Sequence, residues 1–125
     1  MSNSCTSKTR GRAAEQHGRQ AEDKAARLFQ EKGYEILARR LKTGVGEIDL
    51  VVADSRVLIF VEVKARRNFI DAAYALSSRQ RTRLWQAATV ALACHEEWIR
   101  PTMRFDVVLI VSGDVQIIEN AFWLD

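Results

Sequence analysis

The sequence is poor in the residues that build disulfide frameworks and zinc sites. Its two cysteines, Cys5 and Cys94, lie 89 positions apart and belong to no Cys-x-x-Cys pair. The two histidines, His17 and His95, have no partner at metal-ligand spacing. A structural zinc ion and a disulfide network are therefore not expected.

Long hydrophobic runs are also missing. The longest strictly apolar runs, such as Val57–Val61, fall far short of the ~20 residues that span a bilayer. The N-terminal residues contain no apolar core of the kind that secretory signals carry. We therefore expect no membrane partner and, by default, residence in the cytoplasm.

Neither sign of charge dominates, and the remaining composition fits one globular domain. Lys and Arg number 19 against 16 Asp and Glu, and 47% of the 125 residues are hydrophobic. This size predicts a single domain over residues 12–125, preceded by a flexible basic arm over residues 1–11. Three basic clusters are candidate contacts for a nucleic-acid backbone, with plain surface solubility as the alternative. They are Arg39, Arg40 and Lys42; Lys64, Arg66 and Arg67; and Arg79, Arg81 and Arg83.

Hydrophobic periodicity predicts the order αβββαββ, an α/β fold with a mixed β-sheet flanked by helices. Gly33 is the expected end of the first helix, and the strand VLIFVEV, apolar on both faces, is expected at the centre of the sheet. The predicted elements are a helix over Ala13–Lys32, an extended stretch at Tyr34–Leu37, a basic turn at Arg39–Gly46, strands at Glu47–Ala53 and Val57–Ala65, a helix over Arg79–His95, and strands at Met103–Val111 and Val115–Ile118.

Three acids, a lysine and a glutamine are predicted to meet at one end of the sheet. Glu62 and Lys64 stand two residues apart on a strand, so they share one face. Asp49, on the neighbouring strand, comes within one cross-strand or diagonal step of Glu62 in a register that the sequence leaves open. Glu22 lies on or beside the buried stripe of the first helix, and Gln80 lies on the inward line of the second.

Carboxylates buried together require a compensating positive charge, and a hard divalent cation supplies it through oxygen ligands. We expect Mg²⁺ or Mn²⁺ at Asp49 and Glu62, with a backbone carbonyl, water and a phosphate oxygen completing the coordination. Lys64 would orient the attacking water or stabilise charge on a phosphodiester. The pattern favours phosphodiester hydrolysis. Its plainer alternatives are a salt bridge between Glu62 and Lys64, and a helix-edge Glu22 paired with an arginine.

Four segments of the chain together resemble a known family. They are Gly18-x-x-x-Glu22, Gly46-Glu47-Ile48-Asp49-Leu50, Phe60-Val61-Glu62-Val63-Lys64-x-Arg66 and Arg104-Phe105-Asp106-Val107-Val108. The segments are similar to those of the uncharacterised YraN family, whose members resemble archaeal Holliday junction resolvases and the PD-(D/E)XK nuclease superfamily. The resemblance extends from Gly18 to Phe122.

This resemblance implies a restriction-endonuclease-like core in which Glu22, Asp49 and Glu62 are the metal-site acids and Lys64 is the catalytic lysine. Gln80 stands where family members usually carry a lysine. The implied activity is metal-dependent cleavage of DNA, with branched or flapped DNA among the candidate substrates, in repair or recombination. A homodimer is implied by junction-cutting relatives, which act as pairs. Two alternatives stay open: a noncatalytic nucleic-acid-binding module and a protein-interaction subunit.

Overall fold

A computed structural model describes residues 6–7, 12–68, 70 and 78–121 of the chain. Within these ranges the predicted order αβββαββ is confirmed, and a two-residue strand precedes the first helix. The elements are β1 (Thr6–Ser7), α1 (Arg12–Glu31), β2 (Glu35–Thr43), β3 (Gly46–Ala53), β4 (Val57–Arg66), α2 (Ser78–Cys94), a 3₁₀ turn (Glu96–Trp98), β5 (Thr102–Val111) and β6 (Asp114–Ile118). The arm expected over residues 1–11 lies mostly outside the described residues, and of that arm Thr6 and Ser7 pair with β2.

The strands form one mixed sheet in the order β1-β2-β3-β4-β5-β6. Neighbouring strands are antiparallel except for β4 and β5, which run parallel. Parallel neighbours need a crossover connection, and the chain between these two strands contains α2. β4 has a paired strand on each side, so the predicted central position of VLIFVEV is confirmed.

The two helices cover opposite faces of the sheet, and each face has its own apolar core. α1 contributes Ala25 and Phe29 to a core that includes Val61, whereas α2 contributes Ala87 to a core that includes Phe60. Phe60 and Val61 are consecutive on β4 and so point to opposite faces. The predicted mixed sheet flanked by helices is therefore confirmed. In the described ranges, neither helix is long and apolar enough to cross a membrane.

The end of α1 follows the local sequence signal. Gly33 has a φ of 97°, in the left-handed region that glycine adopts without steric cost. The backbone N–H of Tyr34 donates to the carbonyl of Phe29 at 3.0 Å, as in the common glycine-terminated helix end. The chain then turns directly into β2, which confirms the predicted stop.

The prediction of a basic turn over Arg39–Gly46 is wrong for Arg39–Thr43, and only its last part contains a turn. β2 continues to Thr43, and a two-residue turn joins it to β3. Thr43 stabilises that turn, because its Oγ1 accepts a hydrogen bond from the backbone N–H of Gly46 at 3.1 Å. Pairing with β3 holds these residues in a strand, and Arg39 also forms an exposed ion pair with α1, in which its Nη1 lies 2.6 Å from Asp23 Oδ1. Tertiary contacts, which local composition does not report, decide the conformation here.

Side-chain alternation breaks in β3 at Asp49. Leu50 belongs to the α1 core, but Ile48, two residues earlier, belongs to the α2 core. Regular alternation would put both on the same face. The neighbouring strand is distorted at the matching position, since Arg40 has a φ of 47°, which few residues other than glycine adopt. Asp49 therefore lies at the boundary between the two faces of the sheet.

Candidate active site

The pairing of β3 with β4 stops before either strand ends and leaves a gap between them. The last paired residues are Leu50 and Val61, so a continued register would set Asp49 opposite Glu62. The Asp49 carboxylate enters the gap, where its Oδ2 accepts a hydrogen bond from the backbone N–H of Val63 at 2.8 Å. The structure thus brings the buried Asp49 to the part of β4 that carries Glu62.

The two carboxylate oxygens of Glu62 have different surroundings. Oε2 lies 2.9 Å from Lys64 Nζ and accepts a longer hydrogen bond of 3.3 Å from Gln80 Nε2. Glu62 and Lys64 therefore share a face, and Gln80 reaches them from the inward side of α2. Oε1 is buried and has no hydrogen-bond partner among the described residues. The salt bridge expected as the plainer alternative is present, but it satisfies only one of the two oxygens.

An unpartnered buried oxygen costs about 1–3 kcal/mol, and a cation bound to it would remove that cost. In an extended strand the N–H and C=O of one residue point to the same side, so the Val63 carbonyl faces the gap beside Asp49 as well. The described residues contain no group of three or more histidine, cysteine or acidic side chains that could hold a metal ion. Two carboxylates and a carbonyl suit Mg²⁺, which keeps several waters and binds few protein ligands.

Glu22 is on the α1 side of the sheet and is nearly fully buried, at 3% exposure. Its Oε1 lies 3.5 Å from Nε of Arg40, whose side chain is 16% exposed. Arg40 stands between the paired positions Arg39 and Leu41 and so lies opposite Asp49 on the neighbouring strand. The predicted burial of Glu22 is correct, and the arginine pairing expected as its alternative is present. Metal ligation by Glu22 stays a prediction.

A pocket of about 380 Å³ opens on the α2 side of this gap. It is lined by Gly46, Glu47, Glu62, Arg79, Gln80, Arg83 and Leu84. Gly46 lies close to α2: a Cβ built there would lie 3.1 Å from Cγ of Arg83, so the Arg83 side chain would have to shift by a few tenths of an ångström. The sequence marks Glu47 only as a neighbour of Asp49, and it gives no signal for the contact of Gly46 with Arg83, because that contact depends on how α2 packs.

The basic residues proposed as nucleic-acid contacts fall into three structural groups. Arg39 and Arg40 pair with acids of α1. Arg79 and Arg83 are exposed at the pocket, whereas Arg81 on the same helix is half-buried and does not line it. The remaining members are exposed: Lys42 on β2, Arg66 at the end of β4 and Arg67 just after it. Contact of any of them with nucleic acid stays a prediction.

A further ion pair, on the α1 side of β5, serves the fold. The Asp106 carboxylate is fully buried and accepts two hydrogen bonds from Arg104, at 3.0 and 3.2 Å. It also accepts the backbone N–H of Asn120 at 2.9 Å. Burial by itself lowers the pKa of the Arg104 guanidinium, but the hydrogen bonds and attraction to Asp106 outweigh burial, and the pKa is raised. This pair ties the chain after β6 to β5.

Comparison with known proteins gives a consistent picture of relatives. Residues 21–110 match the sequence profile described as "Uncharacterised protein family UPF0102". A UPF0102 protein of Acidiphilium cryptum is 48% identical over 114 residues, covering 91% of this chain and 89% of the relative. One of Azorhizobium caulinodans is 44% identical over 117 residues, covering 93% and 89%. The matched range contains both strands of the gap and the whole of α2.

Proposed function

This chain belongs to the UPF0102 family, and from the geometry of its site we propose that it is an endonuclease that uses Mg²⁺ or Mn²⁺ to hydrolyse phosphodiester bonds in DNA. The observation that carries the proposal is Glu62 Oε1, a buried oxygen without a hydrogen-bond partner among the described residues. Glu62 lies in the segment of β4 to which Asp49 is hydrogen-bonded, through the backbone N–H of Val63. A divalent cation would compensate the negative charge of both carboxylates. Branched and flapped DNA are among the candidate substrates.

The residues of the site have separable roles in this proposal. Asp49 and Glu62 would hold the metal, which when bound polarises a phosphoryl oxygen and lowers the pKa of a bound water. Lys64 carries its ammonium beside Glu62 and stabilises negative charge that develops on the phosphate, or orients the water. Gln80 donates to Oε2 of Glu62 and so helps to hold that carboxylate in place beside α2.

We propose for the same reasons that the fold is the restriction-endonuclease-like core of the PD-(D/E)XK superfamily. Support comes from the position of its characteristic residues: an aspartate on one strand and Glu-x-Lys on the next, at the point where the two strands part. Glu22 takes the place of the helix acid and acts through Arg40, which lies opposite Asp49. A homodimer remains a proposal that rests on the same resemblance.

The test is a cleavage assay on linear, flapped, four-way and single-stranded DNA, each with Mn²⁺, with Mg²⁺ or with EDTA. We expect metal-dependent cutting of at least one substrate, reduced at least about 100-fold in Glu62→Gln and in Lys64→Gln. Asp114→Asn is the matched control, because Asp114 is an exposed acid at the start of β6, away from the gap. Circular dichroism of each variant checks that it is folded.

Two outcomes would count against the proposal. Cutting that persists in Glu62→Gln and Lys64→Gln at the rate of the Asp114→Asn control would remove these residues from the reaction. Salt-sensitive DNA binding without cutting in either metal would instead identify the noncatalytic binding module that the sequence leaves open as the alternative.

A further inference from the structure

The pocket beside the gap has a negative floor and a positive rim. Glu62 forms the buried part of its wall, and Arg79 and Arg83 are exposed at its edge. A metal ion would compensate the negative charge of Glu62. It would not compensate the positive charge of the two exposed guanidinium groups at the rim. Such a rim fits an anion that lies beside the reacting group.

The two rim arginines are arranged as a pair. Arg79 and Arg83 are four residues apart on α2, so they occupy the same side of the helix one turn apart. The stem of Arg83 lies over Gly46, where a Cβ would come within 3.1 Å of its Cγ and within 3.5 Å of its Cδ. Gly46, at the start of β3, therefore lies against the stem of Arg83, and Arg83 as a whole is exposed to solvent. Arg81, between the two in sequence, does not line the pocket.

We propose that Arg79 and Arg83 form a phosphate clamp that binds the backbone phosphate next to the one that is cut. This inference rests on the proposed function. Guanidinium groups bind phosphate through paired, charge-assisted hydrogen bonds, and two of them one helical turn apart fit one phosphate group. The substrate is therefore a nucleic-acid strand with at least two consecutive phosphodiesters, and a single isolated phosphodiester is a poor substrate.

The first test measures binding without catalysis. A short fluorescein-labelled DNA duplex is titrated in EDTA, and fluorescence anisotropy is followed at several salt concentrations. We expect Arg79→Gln and Arg83→Gln each to weaken binding about tenfold. We also expect the slope of log affinity against log salt to fall in magnitude by about 0.9 for each phosphate that a variant no longer neutralises.

Two variants with the same change of charge provide the comparison. Arg56→Gln alters an exposed arginine in the β3–β4 turn, at the other end of these strands, and is expected to bind within about twofold of the original chain. Arg81→Gln alters the same helix away from the pocket. Weakening in Arg81→Gln as large as in Arg83→Gln would overturn the clamp, because the helix would then act through diffuse charge alone.

The second test locates the bound phosphate. Duplexes that carry one neutral methylphosphonate linkage at successive positions are titrated with the original chain and with the double variant Arg79→Gln/Arg83→Gln. The clamp predicts that the original chain loses affinity when the linkage next to the cut is neutral. It also predicts that the double variant, which is already weakened, loses no further affinity when that same linkage is neutral. Additive losses at every linkage would overturn it.

These outcomes separate the clamp from the nuclease. Coupling at one linkage in a protein that never cuts DNA would keep phosphate binding by Arg79 and Arg83 but reject both its place beside a cut and the nuclease. Cutting that requires Glu62 but shows no coupling at any linkage would keep the nuclease and reject the clamp. A chain that neither binds nor cuts DNA would reject both.

Discussion

Asp49 combines a structural contact with the charge that a cation site needs. One of its oxygens accepts the backbone N–H of Val63 and thereby closes the end of the β3–β4 ladder. Its negative charge lies against the strand that carries Glu62, whose Oε1 has no hydrogen-bond partner among the residues described. The two properties can be separated by substitution, because an amide keeps the acceptor and loses the charge.

The prediction for Asp49 therefore compares two variants. Asp49→Ala loses the hydrogen bond and should lower the free energy of unfolding by about 1–2 kcal/mol in urea denaturation. Asp49→Asn keeps an oxygen that accepts the Val63 N–H, so it should be destabilised less than Asp49→Ala. Both should lose metal-dependent cleavage equally. Cleavage by Asp49→Asn near the rate of the original chain would exclude Asp49 as a metal ligand.

At the scale of elements, the site depends on a distortion shared by two strands and a helix. β2 takes a left-handed residue at Arg40, β3 changes face at Asp49, and α1 supplies the acid that pairs with Arg40. Glu22 is thus connected to the gap through β2. The distortion is a property of the β2–β3–α1 unit, and changes at Arg40 should alter its stability.

Arg40→Asn tests this unit. Asparagine tolerates the left-handed backbone better than arginine, so a change in stability will report the removal of the ion pair. We expect a loss of about 2–3 kcal/mol in urea unfolding, because Glu22 stays buried without the guanidinium of Arg40. Glu22→Gln in the Arg40→Asn background should recover part of that loss. Strictly additive effects of the two substitutions would mean that the pair contributes no coupling energy.

Across the whole molecule, the central strand β4 organises both the core and the site. Its first half is paired on both sides and buries Phe60 and Val61 in the two cores. Its second half keeps its β5 partner while its pairing with β3 ends at Val61. The strand that holds the sheet together therefore carries Glu62 and Lys64 into a gap with one open side.

Most of this architecture could be predicted from the sequence, because local periodicity reports which face of an element is buried. The two-residue spacing sets Glu62 and Lys64 on one face, and helical spacing buries Glu22. The course of β2 could not be predicted, since it depends on pairing with β3, to which the exposed ion pair of Arg39 with Asp23 adds little. Local sequence patterns do not reveal such tertiary partners.

The contacts of the site were predictable only in part. The sequence brings Asp49 near Glu62 but leaves the register open, and the partner of Asp49 proves to be the backbone N–H of Val63. A hydrogen bond to main chain depends on where a ladder ends, which no side-chain pattern reveals. The seat of Arg83 on Gly46 likewise depends on how α2 packs against the sheet.

The most direct measurement is a Mn²⁺ titration followed by the loss of the free-ion electron paramagnetic resonance signal. It compares the original chain with Glu62→Gln and with Asp114→Asn, an exposed acid at the start of β6. We expect a saturable Mn²⁺ site that is weakened more than about tenfold in Glu62→Gln and unchanged in Asp114→Asn. Equal binding by all three proteins, or no binding by the original chain, would contradict a metal site at Glu62.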